Sequence, residues 1–379
     1  MVKSSIYLLS NKLSEEELKE EVEKRQNSRM SISLGNFWFS YDFSIMEMSI
    51  KISKNFNEIN NKISSLKDYE REFLFRDMVL DELTASFSDR FRPISKKSLF
   101  NYWIYENGKG NSSLIDSYKT LISSSERTIK DIYDLKRLYD VLIKPRNTAY
   151  HLKNVKKYHF FRTEELIEND KSNLILSERG DKDEQEIIKS VTCCLQIINS
   201  QELDPYSKIG IFLFLFLKSM PFYNENFFIA KYVISSYLWN IEKNYSLALS
   251  IGSFLMPYKK LLASSYKETV SENNHGDLSH FVFSFLEILL DGSNRLLQEL
   301  AVKESKKQNE FPFSKEKKNA KKIGEILISS SIYSEYGVSV YEMKKLSGIS
   351  LPTINRFIAK YNQNIKKTRF IKRDYYSIK

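Results

Sequence analysis

A short polar segment between two apolar stretches holds the residues of this chain that come nearest to a phosphate-binding site. It reads SMPFYNENFFIAK, residues 219 to 231, and follows the apolar run Ile209 to Leu217. A phosphate-binding turn between helices needs glycines, which let backbone N–H groups approach the oxygens, and arginines, which bind them. This segment has Glu225 and several aromatic residues instead. Its position suits a phosphate site, but its side chains do not.

The histidines are the other side chains that could act as a general base near neutral pH. His275 and His280 lie in NNHGDLSH, whose spacing is not that of a metal site, and we expect both to cap or pack. His151 and His159 flank a predicted hairpin and are also expected to be structural. The sequence has no Ser/His/Asp order, Cys/His pair, P-loop or metal-ligand cluster elsewhere.

The elements that must position these residues are mainly helical. Apolar residues recur at helical spacing within residues 36 to 90, and helices are also predicted over 114 to 142 and from Glu184 to about Val302. The stretch YHFFRTEELIENDKSNLIL alternates around a polar centre, which predicts a short β-hairpin at residues 159–177. The fold class is therefore predicted to be all-α with a small hairpin.

Composition indicates a folded protein of the cytoplasm. The 379 residues are 42% hydrophobic and include only 11 Gly and 7 Pro, as in a packed helical globule. No stretch reads as a signal peptide or is long enough to cross a membrane. The two cysteines, Cys193 and Cys194, are adjacent and could form a disulfide only with strain, so we expect reduced thiols.

The positive charge is confined to the C-terminal end of the chain. Residues 303 to 379 contain 18 Lys and Arg against 7 Asp and Glu, whereas residues 1 to 302 carry a net charge of −1. Such a segregated surplus is the electrostatic footprint of a nucleic-acid-binding appendage. The Lys-rich stretch 303–322 contains a proline and no sustained apolar face, and it is predicted to be a basic linker.

The segment VSVYEMKKLSGISLPTINRFIAKYN predicts a helix-turn-helix. Ser339 and Glu342 form a capping box, Gly348 ends the first helix, and Ser350 caps a second helix with Pro352 in its first turn. The second helix would bury its apolar residues and expose side chains able to reach base edges or phosphates, namely Thr353, Asn355, Arg356 and Lys360.

The last residues, IKKTRFIKRDYYSIK, alternate basic and apolar types as in a two-stranded wing. The cations Lys366, Lys367 and Arg369 would face DNA from it. Together the segments predict a winged helix-turn-helix over residues 323–379 that binds DNA. The alternative is an ordinary helical hairpin whose lysines only keep the protein soluble.

Taken in order, these parts resemble the Fic family, enzymes that usually transfer AMP from ATP to a protein hydroxyl. The family motif is H-P-F-x-D-G-N-G-R-x-x-R between two buried helices, and this chain reads M-P-F-Y-N-E-N-F-F-I-A-K. It keeps Pro221, Phe222 and Asn226, and it has a basic residue, Lys231, at the last position. The resemblance spans about residues 36 to 379 and depends more on the order of parts than on motif letters.

Where the chain departs from the motif, the resemblance implies lost chemistry. The family histidine takes a proton, and Met220 cannot. The acid that holds magnesium is replaced by the amide of Asn224, a poorer ligand. Glu225 and Phe227 occupy the two glycine positions, and Phe228 replaces a phosphate-binding arginine. We expect the phenylalanines to fill the vacated nucleotide pocket and Asn224 to cap the following helix.

The resemblance extends to two further parts. DELTASFSDRF is similar to the family's inhibitory helix, with Ala85 at the Ser/Thr position and Asp89 at the glutamate position. The hairpin at 159–177 falls where the family docks its targets. The implied organisation is an N-terminal arm over 1–35, a Fic-like helical domain over 36–302, the linker and the winged helix.

The sequence thus predicts a catalytically lapsed Fic protein that regulates through DNA, with a protein partner at the hairpin by strand addition. The alternative is an active nucleotidyltransferase with an altered site. No cofactor is expected, and ATP and Mg would be implied only if the family activity survives. The DNA sequence, the protein target and the oligomeric state, including a homodimer, stay open.

Overall fold

Helices dominate the chain, as expected for the all-α class. We describe a computed structural model at residues 6–28, 31–34, 36–86, 94–104, 112–123, 129–142, 159–163, 183–201, 203–223, 225–307, 313, 316–370 and 373–379. Asp89, Asn224, His151 and residues 164–177 of the expected hairpin lie outside these ranges. The fold is mainly helical, with only small sheets.

A hairpin near the N-terminus was not predicted. After the helices α1 (Ile6–Ser10) and α2 (Glu15–Gln26), the strands β1 (Ser31–Leu34) and β2 (Phe37–Ser40) pair antiparallel. The prediction of helix over 36–40 is therefore wrong. The Trp38 backbone N–H donates to the Gly276 carbonyl at 2.9 Å, and its indole N–H donates to the His275 carbonyl at 2.8 Å. These long-range bonds and the β-favouring aromatic residues outweigh the local helical pattern.

The main body is a set of packed helices. They are α3 (Phe43–Ser64), α4 (Asp68–Ser86), α5 (Lys96–Ile104), α6 (Ser112–Ser123), α7 (Ile132–Leu142), α8 (Glu184–Asn199), α9 (Pro205–Ser219), α10 (Asn226–Asn240), α11 (Tyr245–Ala248), α12 (Ile251–Leu255), α13 (Lys259–Val270) and α14 (Ser279–Lys307). Of these helices, α3 shows a one-sided apolar stripe, and it packs along α14.

The two helices that flank the candidate loop are buried on nearly all sides. Every residue of α10 is buried, and α9 exposes little beyond Leu215 and Lys218. Helices that are apolar all round occupy the centre of a fold. Asp204 begins α9 by accepting the backbone N–H groups of Tyr206 and Ser207, each at 3.0 Å. The loop between these helices is consequently held in the core of the body.

The C-terminal unit combines three helices with a three-stranded antiparallel sheet. Its elements are α15 (Lys318–Tyr333), β3 (Val338–Ser339), α16 (Val340–Ser347), α17 (Leu351–Lys360), β4 (Ile365–Phe370) and β5 (Arg373–Ile378), with sheet order β3-β5-β4. The Ser339–Glu342 capping box is present, and Gly348 ends α16 at a φ of 73°. Only glycine adopts this backbone conformation at little cost.

The predicted linker over 303–322 is largely part of the fold. Helix α14 continues to Lys307 and α15 begins at Lys318. Between them, Phe313 is buried against Phe357, with ring centroids 5.2 Å apart. The Lys-rich composition suggested a tether, but lysines on the outer faces of helices give the same composition.

The C-terminal unit is fixed to the body through α4. Arg76 is 3% exposed and donates to the Glu342 carboxylate at 2.8 Å, the Ser334 hydroxyl at 2.9 Å and the Gly337 carbonyl at 2.8 Å. On the same helix, Asp77 and Asp81 pair with Lys96, which also reaches Glu335. A buried arginine with this many partners indicates a rigid junction.

No helix in the described part of the chain is long and apolar enough to span a membrane. Cys193 and Cys194 in α8 are not joined in a disulfide, and burial raises the pKa of the Cys193 thiol.

Candidate functional site

The loop between α9 and α10 is held by an arginine that the motif does not include. Arg162 is 1% exposed; its Nε donates to the Met220 carbonyl at 2.7 Å and an Nη to the Ser219 carbonyl at 3.1 Å. The Arg162 backbone N–H donates to the Pro221 carbonyl, also at 3.1 Å. Consecutive loop carbonyls are thus satisfied by one residue. The positive charge of Arg162 therefore faces backbone oxygens of the loop.

Two loop residues adopt a left-handed backbone although neither is glycine. Met220 has a φ of 44° and Glu225 a φ of 61°. Such conformations are costly for residues with a Cβ and persist only when the surroundings enforce them. Glu225 occupies the N-cap of α10 without a side-chain cap bond. Asn224, which was expected to cap this helix, lies outside the described residues.

Asn226, which the chain shares with the family motif, closes the loop on itself. Its amide donates to the Phe222 carbonyl at 2.7 Å, and its side-chain oxygen accepts the Phe222 N–H at 2.9 Å. The residue is 1% exposed. The amide therefore serves as an internal brace of the turn, and it occupies a backbone N–H that a phosphate could otherwise use.

Aromatic side chains pack inside the loop. The ring of Phe222 stacks on Tyr139 with centroids 4.0 Å apart and meets the edge of Phe161 at 5.5 Å. Phe227 and Phe228, at a glycine and an arginine position of the motif, are 6% and 4% exposed. All three phenylalanines are buried, and the expectation that they fill a vacated nucleotide pocket stays a prediction. Such stacking adds to the stabilisation from buried apolar area.

The last motif position, Lys231, is buried in an ion pair. Its Nζ lies 3.4 Å from the Glu82 carboxylate and also contacts the Ser86 hydroxyl, and both charged residues are at most 1% exposed. The other Glu82 oxygen accepts the backbone N–H groups of Gly252 and Ser253 at 2.6 and 2.9 Å. Glu82 thus caps α12 while it neutralises Lys231.

Nearby, burial and, to a lesser degree, the charge of Glu82 raise the pKa of Tyr118 well above its usual range. Its hydroxyl stays protonated at any physiological pH and cannot serve as a base. The Met220 side chain, 2% exposed, is a thioether and cannot accept a proton either. No group of three His, Cys, Asp or Glu in the described ranges could hold a metal ion.

The described histidines have structural contacts. His280 Nε2 lies 2.8 Å from the Glu268 carboxylate, and His159 pairs with Glu184. His275 has a φ of 49° and ends a short turn of helix. These contacts agree with the expectation that the histidines cap or pack.

The second candidate surface is the outer face of α17. Ile354 and Phe357 are buried at 0% and 5% exposure, whereas Asn355 and Arg356 are exposed. The remaining two residues predicted to reach DNA differ: Thr353 is half-buried and Lys360 is exposed but pairs with Glu316. The periodicity of this helix therefore placed its faces as predicted.

The hairpin β4–β5 carries the other predicted cations. Lys366 is exposed, and Lys367 and Arg369 both pair with Asp374, at 2.8 and 2.9 Å. Their hydrogen bonds hold the pKa of Asp374 below its ordinary value. The sequence did not predict this partial neutralisation of the β4–β5 cations, although residues 369 and 374 oppose each other in the register of the strands.

Sequence reasoning missed Arg162, Glu82 and Arg76, which hold the loop and the junction. A signal was present for Glu82, because it lies among apolar residues in VLDELTAS, and for Arg162, which follows two phenylalanines. A charged residue within an apolar stretch requires a buried partner. Each partner, however, lies far away in the sequence, so its identity cannot be read from neighbouring residues.

Comparisons with known proteins place the fold and nothing finer. No protein-family model matches the chain, and no curated protein matches it. A crystal structure of a Fic family protein from Desulfovibrio desulfuricans G20 superposes with a TM-score of 0.51 and 13% sequence identity, covering 88% of this chain and 96% of that one. At that identity the likeness concerns architecture alone. The chain therefore has the fold of a Fic protein.

Proposed function

We propose that this protein is a Fic-fold regulator that has lost adenylyl transfer and acts by binding DNA through a C-terminal winged helix, in the cytoplasm. The observation that supports the loss of adenylyl transfer is the burial of the residues at the motif positions. Each described side chain from Met220 to Lys231 in the motif is buried, except Tyr223, which is half-buried and whose hydroxyl accepts the Thr163 backbone N–H at 3.2 Å. A nucleotide would have to displace packed aromatic rings to enter.

The charge around the loop also disfavours a polyphosphate. Glu225 is 7% exposed at the start of α10, where the positive end of the helix dipole would otherwise attract an anion. Lys231 is neutralised by Glu82, and Arg162 is directed to backbone carbonyls. The cations that could have bound phosphate therefore stabilise the fold.

The proposal of DNA binding is supported by the order of elements in the C-terminal unit. Helix, strand, helix, helix and a terminal β-hairpin is the order of a winged helix-turn-helix, and α17 has the position of a recognition helix. Its exposed Asn355 and Arg356 can hydrogen-bond to base edges, while Lys366 on the hairpin can contact phosphate.

The test is binding of the full chain to short DNA duplexes, followed by fluorescence anisotropy. We expect affinity to fall steeply as salt rises, because lysines that neutralise phosphates release counterions. Lys366→Ala should weaken binding to all sequences alike and lower the slope of log K against log salt by about 1. Binding that is absent at low salt would contradict the proposal.

The second candidate is an active nucleotidyltransferase with an altered site, for which the Fic-like fold is the supporting observation. A fold that hosts a reaction does not by itself specify it. If this candidate were correct, ATP and Mg would bind at the loop. Calorimetry with ATP and Mg separates the two: we expect no binding at micromolar affinity, and the same result for Lys231→Ala.

A companion experiment uses Met220→His, which restores only the base. Labelled ATP should still transfer no nucleotide to protein, because the magnesium and phosphate ligands are also replaced. Transfer by this single variant would favour the second candidate. We further propose that residues 159–177 form the surface for a protein partner. Of this segment the structure describes residues 159–163, where the Phe160 and Phe161 N–H groups donate to the Glu184 carboxylate.

A further inference from the structure

A cavity lies between the helical body and the C-terminal unit, beside their junction through α4. Its lining residues include none from the loop or from α17. It has a volume of about 750 Å³ and is bounded by α4, α5 and α6 on one side and by α16 and β5 on the other. Sites for small organic ligands usually occupy about 300–1,000 Å³. The size therefore suits a molecule larger than a metal ion or an inorganic anion.

The walls of this junction cavity are mostly apolar. Aromatic and aliphatic side chains from both sides line it, among them Phe75, Trp103, Ile104, Ile122, Leu346 and Tyr375. Each of these six side chains is buried or half-buried. Apolar side chains on facing walls can bind the hydrocarbon part of a ligand by removing it from water.

The charged residues at the cavity are not balanced. Arg71 is neutralised by an ion pair with Asp68, and Arg76 by an ion pair with Glu342. Lys119 also lines the cavity and donates to the Trp103 carbonyl at 2.9 Å, and Glu72 is the remaining carboxylate. Among the described residues, Lys345 and Arg373 form no ion pair, and both are exposed at the C-terminal side of the cavity.

Two of the cations lie over aromatic rings that line the cavity. Arg373 lies 5.6 Å from the ring centroid of Tyr341, which is itself 58% exposed, and Lys119 lies 5.1 Å from that of Trp103. Stacking on a ring orders a cation without neutralising it. Arg373, which forms no ion pair among the described residues, therefore stays available to an anion at the cavity mouth.

We propose that the junction cavity binds a small molecule with an apolar body and one anionic group, such as an aliphatic or aromatic carboxylate. The apolar part would lie between Trp103 and Leu346, and the anionic group would face Lys345 and Arg373. Glu72 opposes a second negative charge, which is why a singly charged ligand fits better than a polyphosphate. The proposal does not depend on DNA binding or on the state of the loop.

The test uses the full chain and the fluorescent anionic probe anilinonaphthalenesulfonate. We expect saturable binding at one site, with dodecanoate displacing the probe and uncharged dodecanol failing to displace it. Lys345→Glu combined with Arg373→Glu should weaken probe binding roughly tenfold or more, because a like charge would then face the anion. Unsaturable probe binding would overturn the proposal.

A matched pair of controls separates local charge from total charge. Lys344→Glu combined with Lys379→Glu changes the net charge equally, but neither residue lines the cavity. This control should bind the probe like the parent protein. If both double variants lose binding to the same extent, the probe responds to overall charge and the site is not the cavity.

A second variant tests the apolar part without altering charge at the mouth. Ser123 lines the cavity from an exposed position near the end of α6, and Ser123→Trp should fill it and abolish probe binding. Asp116→Trp places the same bulk on an exposed position of α6 that does not line the cavity, and it should leave binding intact. Unchanged binding by Ser123→Trp would contradict the proposal.

Discussion

The loop between α9 and α10 and the turn between α16 and α17 both join two helices, but they use their polar side chains in opposite ways. Directly after the loop, in the first two turns of α10, Asn226 and Lys231 are buried and bonded to other parts of the protein. After the turn, Asn355 and Arg356 are directed to solvent. Residue types that could bind phosphate therefore stabilise the fold at one place and stay available at the other.

This difference shows that residue type alone does not identify a functional site. A buried polar group must be satisfied inside the protein, and its partners then compete with any ligand. An exposed group loses only water when it binds. Substitutions in the loop should therefore change stability, and substitutions on α17 and the wing should change DNA binding.

The largest effect is expected from Phe222→Ala. The change removes a 2% exposed ring that stacks on Tyr139, and it leaves a cavity in the core. We expect a loss of about 3–5 kcal/mol in the free energy of unfolding, measured by urea denaturation. The control is Phe43→Ala, at 78% exposure, which should change stability by less than about 0.5 kcal/mol. A small effect of Phe222→Ala would mean that the loop is not packed as described.

A somewhat smaller loss is expected from Lys231→Met. The substitution leaves the Glu82 carboxylate buried without its cation, although the Gly252 and Ser253 N–H groups still bond to it. We therefore expect the free energy of unfolding to fall by about 3 kcal/mol, which is at the lower end for breaking a buried ion pair. Lys51→Met removes the exposed pair with Glu47 and should cost less than about 0.5 kcal/mol. Similar losses for the two lysines would refute the role of Glu82.

The comparison predicts a different readout for the C-terminal unit. Arg356→Ala and Asn355→Ala should each cost about 1–3 kcal/mol in binding to the preferred DNA site, with less effect on non-specific DNA. Both residues are exposed, so the melting temperature should stay close to that of the parent chain. Anisotropy titrations with preferred and scrambled duplexes measure the difference. A uniform loss across sequences would assign these residues to phosphate contacts.

The smallest effect is expected from Asp374→Asn, which frees Lys367 and Arg369 from their ion pairs. DNA affinity should rise modestly and its salt dependence should become steeper. The pKa of Asp374 is lowered from 3.8, so its carboxylate stays charged at neutral pH, and any stability that it contributes is lost only as pH falls below that value. Mild acid should therefore not reproduce the substitution. Unchanged affinity would show that the wing cations do not contact DNA.

Sequence by itself determined the helical class and the local design of the C-terminal unit. The capping box at Ser339, the ending of α16 at Gly348 and the buried face of α17 follow from neighbours within a few residues, and all appear as predicted. The packing of the motif phenylalanines was also predicted, because large apolar residues beside apolar helices are buried in most folds.

Only the tertiary structure decided which residues hold the loop and the junction. Glu82 meets Lys231 across 149 positions of sequence, and Arg162 meets Met220 across 58. The hairpin β1–β2 likewise depends on a hydrogen bond to the distant Gly276. The segment predicted to be a linker is held in the fold by the buried Phe313. The physical reason is that capping and periodicity act between neighbours in the chain, whereas the partner of a buried charge is set by which helices pack together.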